Sequence, residues 1–509
     1  MAGSAPESAR DRAARPARSP SSPKGGAIVQ DDPYRQWLDN EILAHQMIPL
    51  VGELWNRQGI EIKVFGKSLV DETPLSIMQI VRKGNMICEE DLDFPVYREL
   101  VDVISTMGLG LCRIDLGKLV LRYTHLGARF QSARQFVRSE LGEEFFNVDR
   151  GPERPKDIVL YGFGRIGRVL TRLLVAATGP GRFFRLRGVI VRGRGDAEDL
   201  EKRAALLRHD SIHGPFSGLI DSVPERSELV INGNRVKFIF ADDPSAVDYR
   251  SLGFEDVIVV DNSGRWRDRA GLSRHLRPGV SRVALTAPGK GDIPNIVFGI
   301  NDDKVGDEPI LSSASCTTNA VAPVLKMLSD EYGIRHGHIE TVHSYTNDQN
   351  LLDNYHKAER RGRSAPLNMV ITTTGAASAV VKVLPELKGK LTGNSIRVPT
   401  PNVSLAMLNL STERKVGRDE LNDFLRRCAL HSRYQKQIGY TKYPLVSTDL
   451  GHSIYTGVVD SQATLTHDEH VVIYVWYDNE FGYSHQVKRL VRKICGDTTP
   501  EYIGAPLSD

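Results

Sequence analysis

Cysteine is scarce in this chain. Its 509 residues include five cysteines, which are widely spaced and never form a C-x-x-C pair. A disulfide-framed secreted domain needs many closely spaced cysteines, and a structural zinc site needs paired ones. We therefore expect neither a disulfide framework nor a bound metal. The cysteines are Cys88, Cys112, Cys316, Cys428 and Cys495.

Long apolar runs and a strong charge of either sign are also missing. No stretch is apolar enough to suggest a membrane span, and a net charge of +3 over this length does not favour nucleic acid. The arginines are scattered rather than grouped in a stripe. With 40% hydrophobic and 25% charged residues, the composition is that of a globular protein of roughly two to four domains. We expect it in the cytoplasm, with no membrane or nucleic-acid partner.

The first 150 residues carry no catalytic pattern. Residues 1–30 are rich in Ala, Ser, Pro and Arg, which predicts a disordered tail. A transit peptide is the alternative, but the acidic residues in this stretch oppose it. Residues 31–150 have apolar side chains at helical spacing, which predicts a mainly helical extension that packs on the rest of the protein. Residues 73–75, Thr-Pro-Leu, predict the start of one of its helices.

One cysteine stands where a helix is predicted to begin. Cys316 lies in the segment 315–322, and apolar residues follow it at helical spacing. The exposed N–H groups of a helix N-terminus favour a thiolate, which is the nucleophilic form. Pro323 implies either a kink or a later start of the helix. Because a lone cysteine is more often a small buried apolar residue, its assignment as a nucleophile depends on its partners.

A dinucleotide-binding pattern precedes this cysteine. Residues 156–161 predict a buried strand, which leads directly into glycines and then into an amphipathic helix. The glycines permit a tight turn and a close approach to a pyrophosphate, which the helix N-terminus binds. We therefore predict that this segment holds a dinucleotide cofactor. Its residues are Gly162, Phe163, Gly164, Arg165, Ile166 and Gly167.

The second predicted strand, 186–191, ends in arginine rather than in an acid. An NAD site usually has an acidic residue there, which accepts hydrogen bonds from the ribose hydroxyls. This chain has Arg192 and Arg194 instead, and guanidinium groups suit the extra phosphate of NADP. Asp196 or Glu198 could still reach the ribose. NADP is therefore favoured, and NAD stays possible.

His343 follows Cys316 by 27 residues, at the end of a predicted strand. A cysteine at a helix start and such a histidine are the nucleophile and base that covalent carbonyl chemistry requires. With this pair, the chain resembles the phosphorylating glyceraldehyde-3-phosphate dehydrogenases. The shared motifs occur in the family's order and span about two thirds of the chain. They are residues 161–168, 313–319, 340–349, 373–377, 384–391, 397–399 and 476–480.

The resemblance implies a covalent mechanism. Cys316 would attack the aldehyde carbon, and His343 would pair with the thiolate and take the hydroxyl proton. Hydride would then leave for the nicotinamide, and inorganic phosphate would release the thioester. Asn479 would hold the nicotinamide amide, and Thr286 would lie on the ribose side.

Two anion subsites follow from the same resemblance, because both the substrate and the second nucleophile carry phosphate. Hydroxyl groups, a backbone N–H and guanidinium groups are suitable donors to phosphate oxygens. The resemblance gives the substrate phosphate to Thr346, Asp348 and Arg397. It gives inorganic phosphate to Ser315, Thr317, Arg363, Thr374 and Gly375.

Two departures from the family pattern bear on the site. The second cysteine that usually follows the nucleophile by four residues is Ala320 here, which removes an oxidation partner but none of the required chemistry. The Leu-Pro pair with which a neighbouring subunit closes the adenosine end in NAD-using members is replaced by Asn354 and Tyr355. Together with Arg192, this second change points away from strict use of NAD.

We thus predict an α/β protein in which a Rossmann domain and an α+β catalytic domain follow the helical extension. The Rossmann domain is predicted at 151–315, with a returning C-terminal helix in 480–509, and the catalytic domain at 316–479. The predicted activity is the reversible oxidative phosphorylation of glyceraldehyde 3-phosphate to 1,3-bisphosphoglycerate by a homotetramer. Two alternatives stay open: an erythrose 4-phosphate dehydrogenase, which hydrolyses its thioester, and a non-catalytic regulatory or binding protein on the same scaffold.

Overall fold

The structure is a computed structural model that describes residues 32–146, 154–372 and 374–505. The predicted disordered tail, residues 1–30, lies outside these ranges. Within them, two large sheets and one small sheet each support a hydrophobic core. This arrangement confirms the predicted α/β class.

The extension is mainly helical, as predicted, but it also contains a small sheet. Thr73 caps the second helix, since its hydroxyl accepts from the N–H of Ser76 at 3.2 Å, and Pro74 is the first helical residue, as the sequence indicates. The strands were not predicted because they have only two to four residues, too few for an alternating pattern to be recognised. The elements are α1 Asp32–Glu53, β1 Glu61–Val64, β2 Lys67–Ser68, α2 Pro74–Cys88, α3 Phe94–Ser105, β3 Arg113–Asp115, α4 Leu116–Leu126 and α5 Ala133–Glu140.

The nucleotide-binding part has one eight-stranded sheet. Its order is β13-β12-β11-β4-β5-β10-β9-β8, with β4 parallel to both of its neighbours. The predicted first strand and the helix after the glycines are confirmed, and the second strand begins two residues before the predicted start. The elements are β4 Lys156–Tyr161, α6 Arg165–Ala176, β5 Phe184–Val191, α7 Ala197–Arg208, β6 His209–Asp210, β7 Gly214–Pro215, β8 Ile220–Val223, β9 Glu228–Ile231, β10 Asn234–Phe240, β11 Val257–Asp261, α8 Arg269–Leu272, β12 Val280–Leu285 and β13 Ile310–Ser312.

The catalytic part has a seven-stranded mixed sheet of order β15-β16-β14-β17-β20-β19-β18. Helix α9 packs in its core, whereas helix α12 returns to the core of the nucleotide-binding part, as predicted. The elements are α9 Cys316–Tyr332, β14 Ile334–Ser344, β15 Val370–Thr372, α10 Ala376–Val383, β16 Leu391–Val398, β17 Ser404–Thr412, α11 Arg418–His431, β18 Ile438–Thr441, β19 Gly457–His467, β20 His470–Tyr477, α12 Phe481–Ile494 and β21 Glu501–Tyr502.

The last described strand, β21, belongs to the extension. It pairs in parallel with β3 and completes the small sheet in the order β2-β1-β3-β21. Arg113 forms an ion pair with Asp497, and Tyr502 is buried in the extension's core together with Leu430 of the catalytic part. The prediction that all of 480–509 returns to the Rossmann domain is therefore wrong for this strand. The extension does pack on the rest of the protein, as predicted.

We expect the C-terminal Tyr502 to hold the N-terminal extension in place. Tyr502→Ala should destabilise the extension by about 3–5 kcal/mol, the usual cost of truncating a buried aromatic side chain. Tyr502→Phe should cost less, since it removes only the hydrogen bond to Glu140. Limited proteolysis within residues 32–146, measured in increasing denaturant, checks this order. Equal resistance of Tyr502→Ala and the unaltered protein would show that β21 does not hold the extension.

Candidate active site

A cavity of roughly 1220 Å³ lies where the two large sheets meet. The carboxyl ends of the parallel strands line one side of it, and the ends of β14 and β16 line the other. Its volume exceeds the range of about 300–1,000 Å³ that is usual for small-molecule sites. It is therefore large enough to hold a dinucleotide together with a substrate.

Cys316 is the first residue of α9, so the later helix start that Pro323 allowed is wrong. Ser315 caps the helix, because its hydroxyl accepts from the N–H of Thr318 at 3.0 Å. The preceding residue, Ala314, has a left-handed backbone with a φ of 55°. Such strain persists only where the surroundings fix it. Here the Ala314 N–H donates to Ser312 and its carbonyl accepts from the Tyr483 hydroxyl, both at 3.0 Å.

His343 lies at the end of β14, directly beside Arg397 in the parallel register with β16. Its Nε2 is 3.7 Å from the Sγ of Cys316, so the two predicted catalytic residues face each other. Its Nδ1 is 2.8 Å from the carbonyl oxygen of Ser344. The same Nδ1 is also 2.8 Å from an Nη of Arg397, which can only donate. In the tautomer whose Nδ1 carries the proton and donates to the Ser344 oxygen, the lone pair of Nε2 points at the thiol. This tautomer can accept the Cys316 proton.

Burial disfavours the charged forms of both Cys316 and His343. It raises the pKa of the Cys316 thiol, although Arg397 acts in the opposite direction. Burial, and after it the charge of Arg397, lowers the pKa of His343 to about 3. The helix N-terminus therefore does not by itself produce the thiolate that the sequence suggested. Proton transfer from Sγ to Nε2 is the route that the geometry offers.

Several predicted anion-binding residues meet beside this pair. Ser315, Thr346, Asp348 and Arg397 line the same cavity as Cys316 and His343. The Nε of Arg397 is buried and has no hydrogen-bond partner among the described residues. A buried donor without a partner is costly unless a ligand accepts from it. Arg397 is therefore well placed to bind a phosphate oxygen.

Other predicted phosphate residues do not line the cavity. The hydroxyl of Thr317 is buried against that of Tyr477 at 3.1 Å, and Thr374 and Gly375 precede α10. Arg363 extends outward, with 64% of its side chain exposed, and pairs with Asp353.

Arg361 is better placed than Arg363. It pairs with Asp348 of the cavity wall, and its charge contributes to lowering the pKa of His343. Arg361 is therefore a second candidate for the phosphate arginine beside the predicted Arg363. Sequence reasoning missed it because three arginines stand within four residues at 360–363, and only the fold distinguishes their directions.

The glycine-rich segment has the geometry that a dinucleotide needs. Gly162 has a φ of 101°, and a side chain at Gly167 would begin 2.4 Å from the carbonyl oxygen of Gly162. Residues 162–166 line the cavity, whereas Gly167 lies behind them and allows α6 to pack closely on the turn. Thr286 also lines the cavity, and its hydroxyl donates to the carbonyl of Asp261 at 3.1 Å.

Arg165 and Asn479 are held by neighbouring side chains that sequence reasoning did not single out. Arg165 lies between Asp210, at 2.8 Å, and Glu480, at 2.6 Å. The amide oxygen of Asn479 accepts from the hydroxyl of Ser404 at 3.0 Å, which leaves its NH₂ group to face the cavity. This orientation would let Asn479 donate to a nicotinamide amide oxygen.

The predicted adenosine end of the cavity is lined by cations. Arg192 lines it together with Arg265, which stacks on Trp266 at 4.9 Å. In the described part of the chain, neither Arg192 nor Arg265 forms an ion pair. Sequence reasoning missed Arg265 and Trp266 because they follow β11, which shares no local pattern with the glycine-rich segment.

The acidic residues that could have replaced the missing ribose acid are engaged elsewhere. Asp196 caps α7 and pairs with Arg194, while Glu198 pairs with Arg194 and Lys202. Asp242 is the carboxylate that lines this end of the cavity.

Within the described ranges, no group of three or more His, Cys, Asp or Glu side chains could hold a metal ion. Nor does any helix in the same ranges have the length and apolar character to cross a membrane.

Two family models match the two halves of the site. Residues 156–269 match the NAD binding domain of glyceraldehyde 3-phosphate dehydrogenase, and residues 315–479 match its C-terminal domain. A glyceraldehyde-3-phosphate dehydrogenase of Priestia megaterium is 39% identical over 340 residues, which cover 66% of this chain and 97% of the relative. The chloroplastic glyceraldehyde-3-phosphate dehydrogenase A of Zea mays is 39% identical over 362 residues, covering 68% of this chain and 84% of the relative.

A further relative also matches the extension. The glyceraldehyde-3-phosphate dehydrogenase-like protein of Pseudomonas aeruginosa is 50% identical over 461 residues, which cover 90% of this chain and 100% of the relative. An alignment of that extent includes most of the residues before 156. The extension is therefore shared with this relative.

We expect His343→Asn to slow turnover by roughly 10² to 10⁴, the usual loss when an acid/base group is removed. Without Nε2 the Cys316 proton must leave to solvent, and burial keeps its pKa high. Alkylation of Cys316 by iodoacetamide should then need a higher pH than in the unaltered protein. His338→Asn is the control, because His338 lies on the same strand but bonds to Thr392 and Asn394. An unchanged pH profile for His343→Asn would contradict the assigned proton transfer.

Proposed function

This chain belongs to the glyceraldehyde 3-phosphate dehydrogenase family, and from that premise we propose that it oxidises glyceraldehyde 3-phosphate to 1,3-bisphosphoglycerate with inorganic phosphate and NADP. The observation that supports this most is the pair of Cys316 Sγ and His343 Nε2, 3.7 Å apart, beside an arginine with a free donor. This is a nucleophile and base next to an anion site.

The chain's own residues can carry the covalent steps. Cys316 gives its proton to Nε2 of His343, and Sγ bonds to the aldehyde carbon to form a hemithioacetal. Nε2 releases this proton to the new oxyanion, which becomes a hydroxyl. When the hydroxyl later becomes the carbonyl of the thioester, Nε2 takes the proton back. A phosphate oxygen then attacks the thioester carbon, and the Cys316 thiolate leaves. Arg397, together with Arg363 or the neighbouring Arg361, would hold the anions on either side.

The residues fit a dinucleotide cofactor. The chemistry that bound NAD(P) supplies here is acceptance of hydride from the hemithioacetal carbon. Residues 162–166 would hold the pyrophosphate, since they combine a left-handed glycine with a helix N-terminus. Asn479 would hold the nicotinamide amide through the NH₂ group that Ser404 leaves free. Trp266, which lines the cavity, would contact the adenine.

NADP is favoured over NAD by the charges at the adenosine end. Arg192 and Arg265 are unpaired over the described ranges, while Asp196 and Glu198 are occupied by Arg194. Two free guanidinium groups suit a 2′-phosphate. Asp242 is the residue through which NAD could still bind.

We also propose that the protein forms a homotetramer, as the resemblance implies. The segment 349–371 exposes apolar side chains that water solvates poorly, and a second copy of the chain would cover them. More than two thirds of each of these residues is exposed: Leu351, Leu352, Tyr355, Leu367 and Met369.

We expect oxidation of glyceraldehyde 3-phosphate to require inorganic phosphate. Initial rates of NADPH formation should rise with phosphate and saturate, and Cys316→Ala should abolish them while cofactor binding is retained. Equal rates without phosphate would indicate hydrolysis of the thioester, as in the erythrose 4-phosphate enzyme. No turnover with any aldehyde would favour a non-catalytic role.

We expect Arg192→Ala to raise the KM for NADP roughly 10- to 100-fold, as the loss of one or more charge-assisted hydrogen bonds predicts. The KM for NAD should change little, because NAD lacks the phosphate. Arg194→Ala is the matched control, since Arg194 is already paired with two carboxylates. Better turnover with NAD than with NADP in the unaltered protein would assign the ribose contact to Asp242.

A further inference from the structure

A rigid turn of the extension faces the catalytic part. Phe65 and Gly66 both have left-handed backbones, with φ of 45° and 83°. Their N–H groups donate to the two carboxylate oxygens of buried Asp115, at 2.9 and 2.8 Å. The ring of Phe65 fills the space beside Gly84 and Gly117, where any side chain would collide with it. A non-glycine residue held in this way cannot relax, so the turn has a fixed position.

The turn contacts the catalytic part through Tyr455. The hydroxyl of Tyr455 donates to the carbonyl oxygen of Phe65 at 2.9 Å. The tyrosine ring lies against Gly439, where a side chain would begin 2.7 Å from it. Packing thus fixes the ring on one side, while the hydrogen bond fixes its tip against the extension.

The segment that carries Tyr455 also touches the cofactor site. A side chain at Gly482, in the first turn of α12, would begin 2.3 Å from the carbonyl oxygen of Tyr455. The N–H of His452 donates to Asp478 at 2.9 Å. The other oxygen of Asp478 accepts from the N–H groups of Glu480 and Phe481, at 3.0 and 2.8 Å. One buried carboxylate therefore links the segment 452–455 to the turn at 479–481.

That turn carries two residues of the cavity wall. Asn479 and Glu480 both line the cavity. Glu480 binds Arg165 of the glycine-rich segment and His213, at 2.6 and 2.7 Å. A shift of 452–455 would therefore displace groups at the nicotinamide end. The turn before Cys316 has anchors of its own in the Ser315 cap and in the Ala314 N–H, in addition to its contact with the Tyr483 hydroxyl of α12.

We propose that Tyr455 is a positioning residue through which the N-terminal extension fixes the turn bearing Asn479 and Glu480, and so sets the affinity for the cofactor. The role of Asn479 in this inference rests on the proposed function. The extension then acts on the cofactor site indirectly, through Tyr455, since none of its described residues lines the cavity.

The test is Tyr455→Phe in the full-length chain, which removes one hydroxyl and keeps the ring. Losing one neutral hydrogen bond should weaken NADP binding roughly two- to tenfold. We expect a higher Kd, measured by fluorescence titration, and a higher KM for NADP with kcat nearly unchanged. The rate of Cys316 alkylation in the cofactor-free protein should stay the same.

Tyr440→Phe is the matched control, because Ser461 of the catalytic part acts on the Tyr440 hydroxyl and lowers its pKa, whereas no hydrogen bond joins that hydroxyl to the described residues of the extension. Asp115→Asn is a second variant that loosens the turn from the side of the extension, and it should weaken NADP binding in the same direction. An unchanged Kd in Tyr455→Phe would overturn the proposal. An equal rise of Kd in Tyr440→Phe would also overturn it. A parallel loss of Cys316 alkylation in Tyr455→Phe would do so as well. Since Kd is measured without turnover, these outcomes are distinct from a failure of phosphate-dependent oxidation in the unaltered protein.

Discussion

Helix α9 follows the edge strand of the nucleotide-binding sheet and packs into the core of the catalytic sheet. The position of its first residue, Cys316, therefore depends on both sheets. Strand β13 ends at Ser312, and only three residues separate it from Cys316. Within that distance the chain must turn, and it does so through the left-handed Ala314. Tyr483 of α12 holds this turn from the nucleotide side, and Tyr477 of β20 meets Thr317 from the catalytic side. Cys316, the proposed nucleophile, is therefore fixed at the junction of the two sheets.

At the same junction, burial favours the neutral forms of Cys316 and His343. Burial acts against both the thiolate and the imidazolium, and neither partner gains a fixed carboxylate in return. Arg397 has opposite effects on the two groups, since it favours the thiolate and disfavours the imidazolium. When a phosphate group binds at Arg397, it offsets that positive charge. We therefore expect protonation of His343 to become easier once the substrate is bound, while the Cys316 thiolate loses part of the stabilisation that Arg397 gives it.

The sequence predicts those features in which local chemistry and position coincide. The first strand, the glycines, the helix start at Cys316 and the cap at Thr73 are all local patterns, and the structure has each of them. Local patterns do not distinguish between several equal candidates that stand together, as with Arg361 and Arg363, whose directions depend on the path of a long loop. They fail again at Arg265, which reaches the cavity from a strand about 100 residues after the glycine-rich segment. Strand β21 of the small sheet was not predicted for a third reason, because it pairs with a strand almost 400 residues earlier.

The pairing of β21 with β3 also explains how the extension can constrain helix α12. Helix α12 begins at the cofactor site and ends just before Asp497, which pairs with Arg113 of the extension. Its hydrophobic face belongs to the core of the nucleotide-binding part, so the helix is fixed to the Rossmann sheet along its length. Because a packed helix moves as a rigid unit, contacts at its C-terminal end constrain its first turn as well. The extension thus acts on α12 at both ends, through Asp497 at one and through Tyr455 beside Gly482 at the other. A dehydrogenase core without this extension would need other contacts to hold the turn at Asn479.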